Sequence, residues 1–216
     1  MEEIPYDKIR ALIRSAEVIN IELAVQIGLG FGLTEDETLH PWGELLRQLQ
    51  QPPQTEAELL HQWLASDKLS LLNRKLGTIP SGIGGFTQLT ELNLNVNALA
   101  QLPEDIGDLE NLKILRLNRN HLTDLPASFE QLQNLDELWL SDNQFSRLPE
   151  VIYKMKQLKV LVLSYNQLTS IGGDIAQLTQ LERLDLYNNP IEKETKVFLK
   201  RLLPDCKLRF VYRYEP

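Results

Sequence analysis

The side chains that most often catalyse reactions or bind metals are few in this chain and widely separated. The histidines are His40, His61 and His121, and Cys206 is the one cysteine. A zinc site needs about four nitrogen or sulfur ligands, and these residues fall on separate predicted elements. The glycine-rich run at residues 28–32 lacks the Lys-Ser/Thr of a phosphate-binding loop and follows a helix-like pattern. We therefore predict no catalytic residues, no metal and no cofactor.

A leucine pattern with a period of 23 residues organises the middle of the chain. Its marker residues are Leu89, Leu112, Leu135, Leu158 and Leu181. Each unit begins Leu-x-x-Leu-x-Leu-x-x-Asn, and an earlier, degenerate unit has Arg74 in place of the asparagine. The Leu-x-Leu alternation predicts a short strand with buried leucines. A Leu-Pro step follows in most units and predicts an extended or 3₁₀ segment, because proline fixes φ and donates no hydrogen bond.

This pattern resembles the leucine-rich-repeat family, in the subtype that carries LPxxIxxLxxL on its convex side. The resemblance covers about residues 66–191 and implies an α/β fold, a right-handed solenoid with a parallel sheet on its concave face. It also implies a protein-protein interaction module rather than an enzyme. Residues 20–33 are similar to the opening segments of some bacterial repeat proteins, which indicates a bacterial source.

The two ends of the chain depart from the repeat and are predicted to cap it, since a solenoid exposes its apolar interior at both termini. Residues 1–65 show helical spacing and capping-box pairs, and we interpret them as a helical N-terminal cap. About six repeat units fill residues 66–191. Residues 192–216 form the predicted C-terminal cap, a helix over residues 193–203 followed by a strand over residues 207–212. A functional role of the N-terminal segment beyond capping remains an alternative.

One asparagine recurs in every complete unit, directly after the predicted strand. We expect these residues to stack as a ladder whose amides satisfy buried backbone groups, because an unsatisfied group costs about 1–3 kcal/mol. The ladder residues are Asn97, Asn120, Asn143, Asn166 and Asn189. Their predicted role is structural.

The variable residues between the strand leucines are predicted to line the concave face in rows. Trp139 lies near the middle of the array at a position that should face solvent. Aromatic anchors surrounded by arginine are typical of binding hot spots, although a single exposed apolar residue is also common on ordinary surfaces. The predicted partner-binding residues are Trp139, Val162, Val160, Tyr165, Ile114, Arg116, Arg119, Arg183, Glu137, Asp142 and Tyr187.

Composition narrows the classes of partner. The formal net charge is −8, which does not favour nucleic-acid binding, because phosphate contacts need clustered Lys and Arg. No apolar run approaches the roughly 20 residues that span a membrane. A beginning without a basic and then apolar segment, together with a lone cysteine, indicates a cytoplasmic protein. We expect a non-enzymatic scaffold that binds an unidentified protein partner as a monomer. A self-associating homo-oligomer and an enzyme with an unrecognised site are the alternatives.

Overall fold

Among the residues that the structure describes, seven short parallel strands form one sheet, in which each strand pairs with the next in chain order. The computed structural model describes residues 66–79 and 83–210. The predicted N-terminal helices, two of the histidines and the glycine-rich run lie outside the described residues. The strands are β1 (Lys68–Ser70), β2 (Glu91–Asn93), β3 (Ile114–Arg116), β4 (Glu137–Trp139), β5 (Val160–Val162), β6 (Arg183–Asp185) and β7 (Lys207–Arg209).

The register of the sheet follows the 23-residue repeat. Leu92 pairs with Leu115, which pairs with Leu138, and each of these central leucines is fully buried. The residues on either side of a central leucine face the opposite way, since neighbouring side chains of a strand alternate between faces. Only the pairing of β6 with β7 departs from the 23-residue spacing, since Arg183 pairs with Lys207. The parallel sheet implied by the resemblance to leucine-rich repeats is confirmed.

The convex side consists of short 3₁₀ helices, one between each pair of strands from β1 to β6. Pro103 and Pro126 precede two of them in extended backbone, with φ of −71° and −64°. Gly172 replaces proline in a later unit and still adopts an extended φ of −69°, so the missing proline leaves the turn unchanged. The 3₁₀ helices are Ile83–Gly85, Glu104–Asp108, Ala127–Gln131, Glu150–Lys154 and Gly173–Gln177.

The core lies between the sheet and these 3₁₀ helices. The strand leucines fill it from one side, and side chains such as Ile106 and Ile152 from the other. Phe86, Phe129 and Phe145 are its largest fully buried side chains. Because every unit contributes the same apolar positions, the core is a continuous stack of layers.

An α-helix, α1 (Lys193–Leu202), separates β6 from β7. Only part of its apolar sequence faces the core: Leu199 is buried, whereas Val197 and Phe198 are exposed. At about 100° per residue, Val197 lies nearly opposite Leu199, whereas Phe198 lies at the flank of the buried side. The capping role predicted for this segment stays a prediction.

A left-handed backbone residue precedes each ladder asparagine. Val96, Arg119, Asp142, Tyr165 and Asn188 all have φ between 56° and 59°. This conformation costs an L-residue about 1–2 kcal/mol, least for asparagine and most for a β-branched side chain. Val96 is therefore the most strained of the five.

Replacing Val96 by asparagine should relieve that strain. We expect Val96→Asn to raise the free energy of unfolding by about 1 kcal/mol, because asparagine adopts the left-handed region more readily. Urea denaturation followed by circular dichroism measures the change. Val160→Asn is the matched control, since Val160 is also half-buried but lies in a strand. Equal destabilisation of both variants would contradict the strain assigned to Val96.

Candidate functional site

The concave face presents the variable residues in the rows predicted from the repeat. Glu137 lies between Ile114 and Val160 in one row, and Trp139 lies between Arg116 and Val162 in the next. The sheet thus brings together residues separated by one or several repeats. The variable residues of the sheet form this surface. The repeated leucines hold them in place but do not contribute to the surface.

The five ladder asparagines lie behind this surface and join each repeat to the one before it. Asn143 shows the pattern: its Nδ2 donates to the carbonyls of Leu117 and Leu140 at 2.9 and 3.1 Å. Its Oδ1 accepts the N–H of Leu122 at 3.0 Å. The equivalent bonds, each to its own and the preceding repeat, are made by Asn97, Asn120, Asn166 and Asn189.

The first unit, which has Arg74 instead of asparagine, receives its bonds from the second. The Oδ1 of Asn97 accepts the backbone N–H groups of both Arg74 and Leu76, at 3.0 and 3.1 Å. The ladder amide of one unit therefore satisfies the turn of the preceding unit. This geometry explains how the substitution at Arg74 leaves the turn hydrogen-bonded.

A shallow cavity of about 650 Å³ opens on the concave face toward the C-terminal strands. Aromatic and charged side chains surround it. The lining residues are Asn118, Arg119, Trp139, Ser141, Asp142, Val162, Ser164, Tyr165, Arg183, Asp185, Tyr187 and Arg209. The cavity is open to solvent and contains both apolar surface and charge.

Asp185 is the buried charge at the base of this cavity, and its residue is only 1% exposed. Its Oδ1 accepts the hydroxyl of Ser164 at 2.7 Å and the backbone N–H of Tyr187 at 3.0 Å. Its Oδ2 accepts N–H groups from Arg183 at 3.0 Å and Arg209 at 3.2 Å. Burial alone would raise the pKa of Asp185, but these hydrogen bonds and the charge of Arg209 hold the pKa below its ordinary value.

The two arginines bound to Asp185 also contact aromatic rings. The guanidinium carbon of Arg209 lies 4.5 Å from the ring centre of Tyr187, and that of Arg183 lies 5.7 Å from Trp139. Tyr165 meets Tyr187 edge to face with ring centres 5.5 Å apart. Such contacts contribute about 0.5–1 kcal/mol each at partly exposed positions. They hold the aromatic and cationic groups in a fixed arrangement.

Seven of the predicted partner-binding residues contribute to the cavity lining, and one of these is not accessible. Val162 is buried, with 4% exposure, because it lies between Trp139 and Asp185 in the row. Val162 therefore supports the cavity from beneath rather than offering contact area. The other six predicted residues in the lining are accessible: Trp139, Tyr165, Arg119, Arg183, Asp142 and Tyr187.

The other predicted residues lie on the same sheet outside the cavity lining. Arg116 pairs with Glu91 at 3.4 Å, one strand toward the N-terminus. Glu137 accepts the indole N–H of Trp139 at 3.0 Å and so orients the ring. Ile114 and Val160 are half-buried next to Glu137.

Sequence reasoning missed five polar lining residues of the site, Asp185, Arg209, Asn118, Ser141 and Ser164. Asp185 occupies a row position that normally faces solvent, and its burial depends on its neighbours. Arg209 comes from β7, which lies beyond the repeats, although its alternating pattern places it in register with Asp185. Asn118 accepts the N–H of Ser141 at 2.8 Å and forms a second amide contact between repeats.

Of the residues considered for catalysis or metal binding, Cys206 and His121 lie within the described residues, and His121 is exposed. Cys206 is half-buried against the core, and burial raises the pKa of its thiol to about 11. A neutral thiol is a weak nucleophile. Within residues 66–79 and 83–210, no group of histidine, cysteine and acidic side chains has the geometry for a metal ion. The same ranges contain no helix of the length and apolarity that a membrane span requires.

Comparison with known proteins identifies the family. The profile described as a leucine-rich-repeat region matches residues 67–211, so the chain belongs to the leucine-rich-repeat family. No curated protein matches it closely enough to be named as a relative.

Two solved structures show the same fold. A leucine-rich-repeat protein of Leptospira interrogans shares 35% identity over 63% of this chain, with a TM-score of 0.53. An internalin of Listeria monocytogenes shares 22% identity over 68% of this chain, with a TM-score of 0.56. The matches cover 41% and 43% of the lengths of those two proteins. The internalin supports the fold alone.

Proposed function

We propose that the chain is a non-enzymatic interaction module that binds a protein partner on its concave face, centred on Trp139. The observation that carries the proposal is the cavity in which Trp139, Tyr165 and Tyr187 lie beside Arg183 and Arg209. Aromatic and arginine side chains are the residue types enriched in interface hot spots. Fixed aromatic rings also lose little conformational entropy when a partner binds.

Trp139→Ala should weaken binding of a protein partner about tenfold, which corresponds to about 1.4 kcal/mol. The loss is expected because the partly exposed indole lines the cavity and lies 5.7 Å from the guanidinium carbon of Arg183. Wild-type and Trp139→Ala chains used as paired baits, with retained proteins quantified by mass spectrometry, identify candidate partners. Titration of one purified candidate then gives the affinity ratio.

Phe198→Ala is the matched control for this experiment. Phe198 is also a large, exposed aromatic residue, but it lies on α1 outside the cavity. Its removal should leave binding unchanged. If the two variants retained the same partner with the same affinity as the wild type, the assignment of Trp139 would be wrong.

Self-association is the second candidate function. Within the described residues, β7 pairs on one side only, with β6, and Val197 and Phe198 are exposed on α1. An unpaired strand edge can receive a second chain. Light scattering over a range of protein concentrations separates the candidates, since a constant monomer mass would remove this one.

We further propose a cytoplasmic location in a bacterium. The single cysteine, Cys206, carries a free thiol, which suits a reducing compartment. The two similar structures come from bacterial species. Cell fractionation with an antibody against the chain tests the location.

A further inference from the structure

The charge of the concave face differs from that of the whole chain. The chain is acidic, with a net charge of −8. Near β6 and β7, however, Arg183 and Arg209 both contact a single buried carboxylate, Asp185, and Lys207 pairs with Arg183 in the sheet. The cavity lining carries three arginines, Arg119, Arg183 and Arg209, against the two carboxylates of Asp142 and Asp185. This end of the face therefore has an excess of positive charge and favours an anionic partner.

Asp185 places two of these cations side by side. Arg183 and Arg209 each donate one N–H group to the same carboxylate oxygen. A guanidinium has five N–H donors, so most donors of both groups stay available to a ligand. Since Asp185 and the aromatic contacts already order both side chains, a bound anion loses little affinity to their ordering.

The rings beside the arginines determine which kind of anion fits. Tyr187 lies against Arg209, Trp139 lies near Arg183, and Tyr165 is 50% exposed beside them. A guanidinium that stacks on a ring keeps its N–H edge free for bidentate contact with a carboxylate. The exposed ring surfaces offer contact area to an apolar side chain next to that carboxylate.

Acidic groups at the same site oppose a nucleic acid. Asp142 lines the cavity and is exposed, and Glu137 lies beside Trp139. A continuous phosphate backbone would meet these carboxylates, whereas one carboxylate placed between the arginines would not. The site therefore favours one or two carboxylates within an otherwise apolar segment.

We propose that this part of the concave face binds an acidic peptide segment of the partner, in which Asp or Glu adjoins an apolar or aromatic residue. The carboxylate lies between Arg183 and Arg209, and the neighbouring side chain packs on Trp139 and Tyr165. This assignment rests on the proposed function and specifies the chemistry of the partner.

The test selects a random seven-residue phage-display library on the wild-type chain and then measures synthetic peptides. Fluorescein-labelled peptides of a selected sequence, with either Asp/Glu or the matching Asn/Gln, are titrated by fluorescence anisotropy. We expect enrichment of acidic residues next to apolar ones, and at least tenfold tighter binding of the acidic form. Higher salt should weaken the acidic form more than the amide form.

Arg209→Gln should remove most of the preference for the acidic peptide, whereas Arg201→Gln, on the exposed surface of α1, should preserve it. Arg209→Lys keeps the positive charge but not the planar set of N–H donors, and this variant is expected to bind the acidic peptide with intermediate affinity. Circular dichroism of each variant shows whether it is folded. If Arg209→Gln is unfolded, the wild-type ratio between acidic and amide peptides still decides the question.

The outcomes separate this inference from the proposed function. Equal affinity for acidic and amide peptides, or a library that yields no acidic enrichment, would overturn the acidic assignment. Peptides that bind without charge preference but lose affinity with Trp139→Ala would leave the concave face as the binding surface. Peptides insensitive to Trp139→Ala would overturn both.

Discussion

Replacing Asn143 by alanine is expected to lower the free energy of unfolding by about 4 kcal/mol. The amide bridges two repeats, since it donates to the carbonyls of Leu117 and Leu140 and accepts the N–H of Leu122. Alanine would leave the N–H of Leu122 unpaired in a buried turn, which costs about 1–3 kcal/mol. It would also remove one of the two amide bonds that each carbonyl accepts, at about 0.5–1.5 kcal/mol each, since Asn120 and Asn166 still donate to the carbonyls of Leu117 and Leu140. Urea denaturation followed by circular dichroism measures the loss.

Asn134→Ala is the matched control for Asn143. Asn134 also bridges two units, through an Nδ2 bond of 2.8 Å to the carbonyl of Glu110, but this bond is exposed. Water replaces an exposed partner, so the loss should stay below about 1 kcal/mol. Similar losses for Asn134→Ala and Asn143→Ala would contradict the structural role of the ladder.

Replacing Asp185 by asparagine is expected to lower the free energy of unfolding at neutral pH by about 2 kcal/mol. The new amide would direct N–H groups toward Arg183 and Arg209, so two charge-assisted hydrogen bonds are lost at a buried position. Partial exposure of both arginines keeps the loss below that of a fully buried pair, because water screens their charge.

The difference in the free energy of unfolding between wild type and Asp185→Asn should depend on pH. The pKa of Asp185 is lowered in the folded chain from an ordinary value of 3.8. A lowered carboxyl pKa contributes stability that is complete above the unfolded pKa and is lost as pH falls through the folded pKa. The two stability curves should therefore stay separated at neutral pH and converge below about pH 4.

Asp142→Asn gives the control for the charge change. Asp142 faces Arg119 at 3.6 Å, and both side chains are well exposed. Exposed ion pairs contribute about 0–1 kcal/mol, so the variant should unfold close to the wild-type midpoint. A pH-independent difference between wild type and Asp185→Asn would contradict the role assigned to the buried carboxylate.

The repeated part of the structure can be predicted from the sequence because the same contacts recur in successive units. The central leucines, the register and the row that contains Trp139 follow directly from the 23-residue spacing. The burial of Val162 could not be read in the same way, since it depends on the particular side chains of Trp139 and Asp185 on adjacent strands. The repeat therefore predicts which residues are neighbours in a row across the sheet, but not which of these residues is buried.

Two further features lay outside what periodicity can predict. The left-handed backbone at Val96 contradicts local propensity, and it occurs because the sheet and the ladder impose one turn geometry on every unit. Arg209 belongs to β7, for which the repeat gives no template, so its contact with Asp185 required the paired strands. The candidate site therefore combines a predictable frame with contacts specific to this chain.

The direction of the asparagine bonds has a consequence for how such a chain grows. The Oδ1 of Asn166 accepts the N–H of Phe145 in the preceding repeat, and the same offset recurs at Asn189 and Leu168. A duplicated 23-residue unit inserted between two repeats would find matching donors and acceptors on both sides. Gene duplication could thus lengthen the binding surface one strand at a time without redesign of the junctions, whereas an insertion of another length would break the ladder.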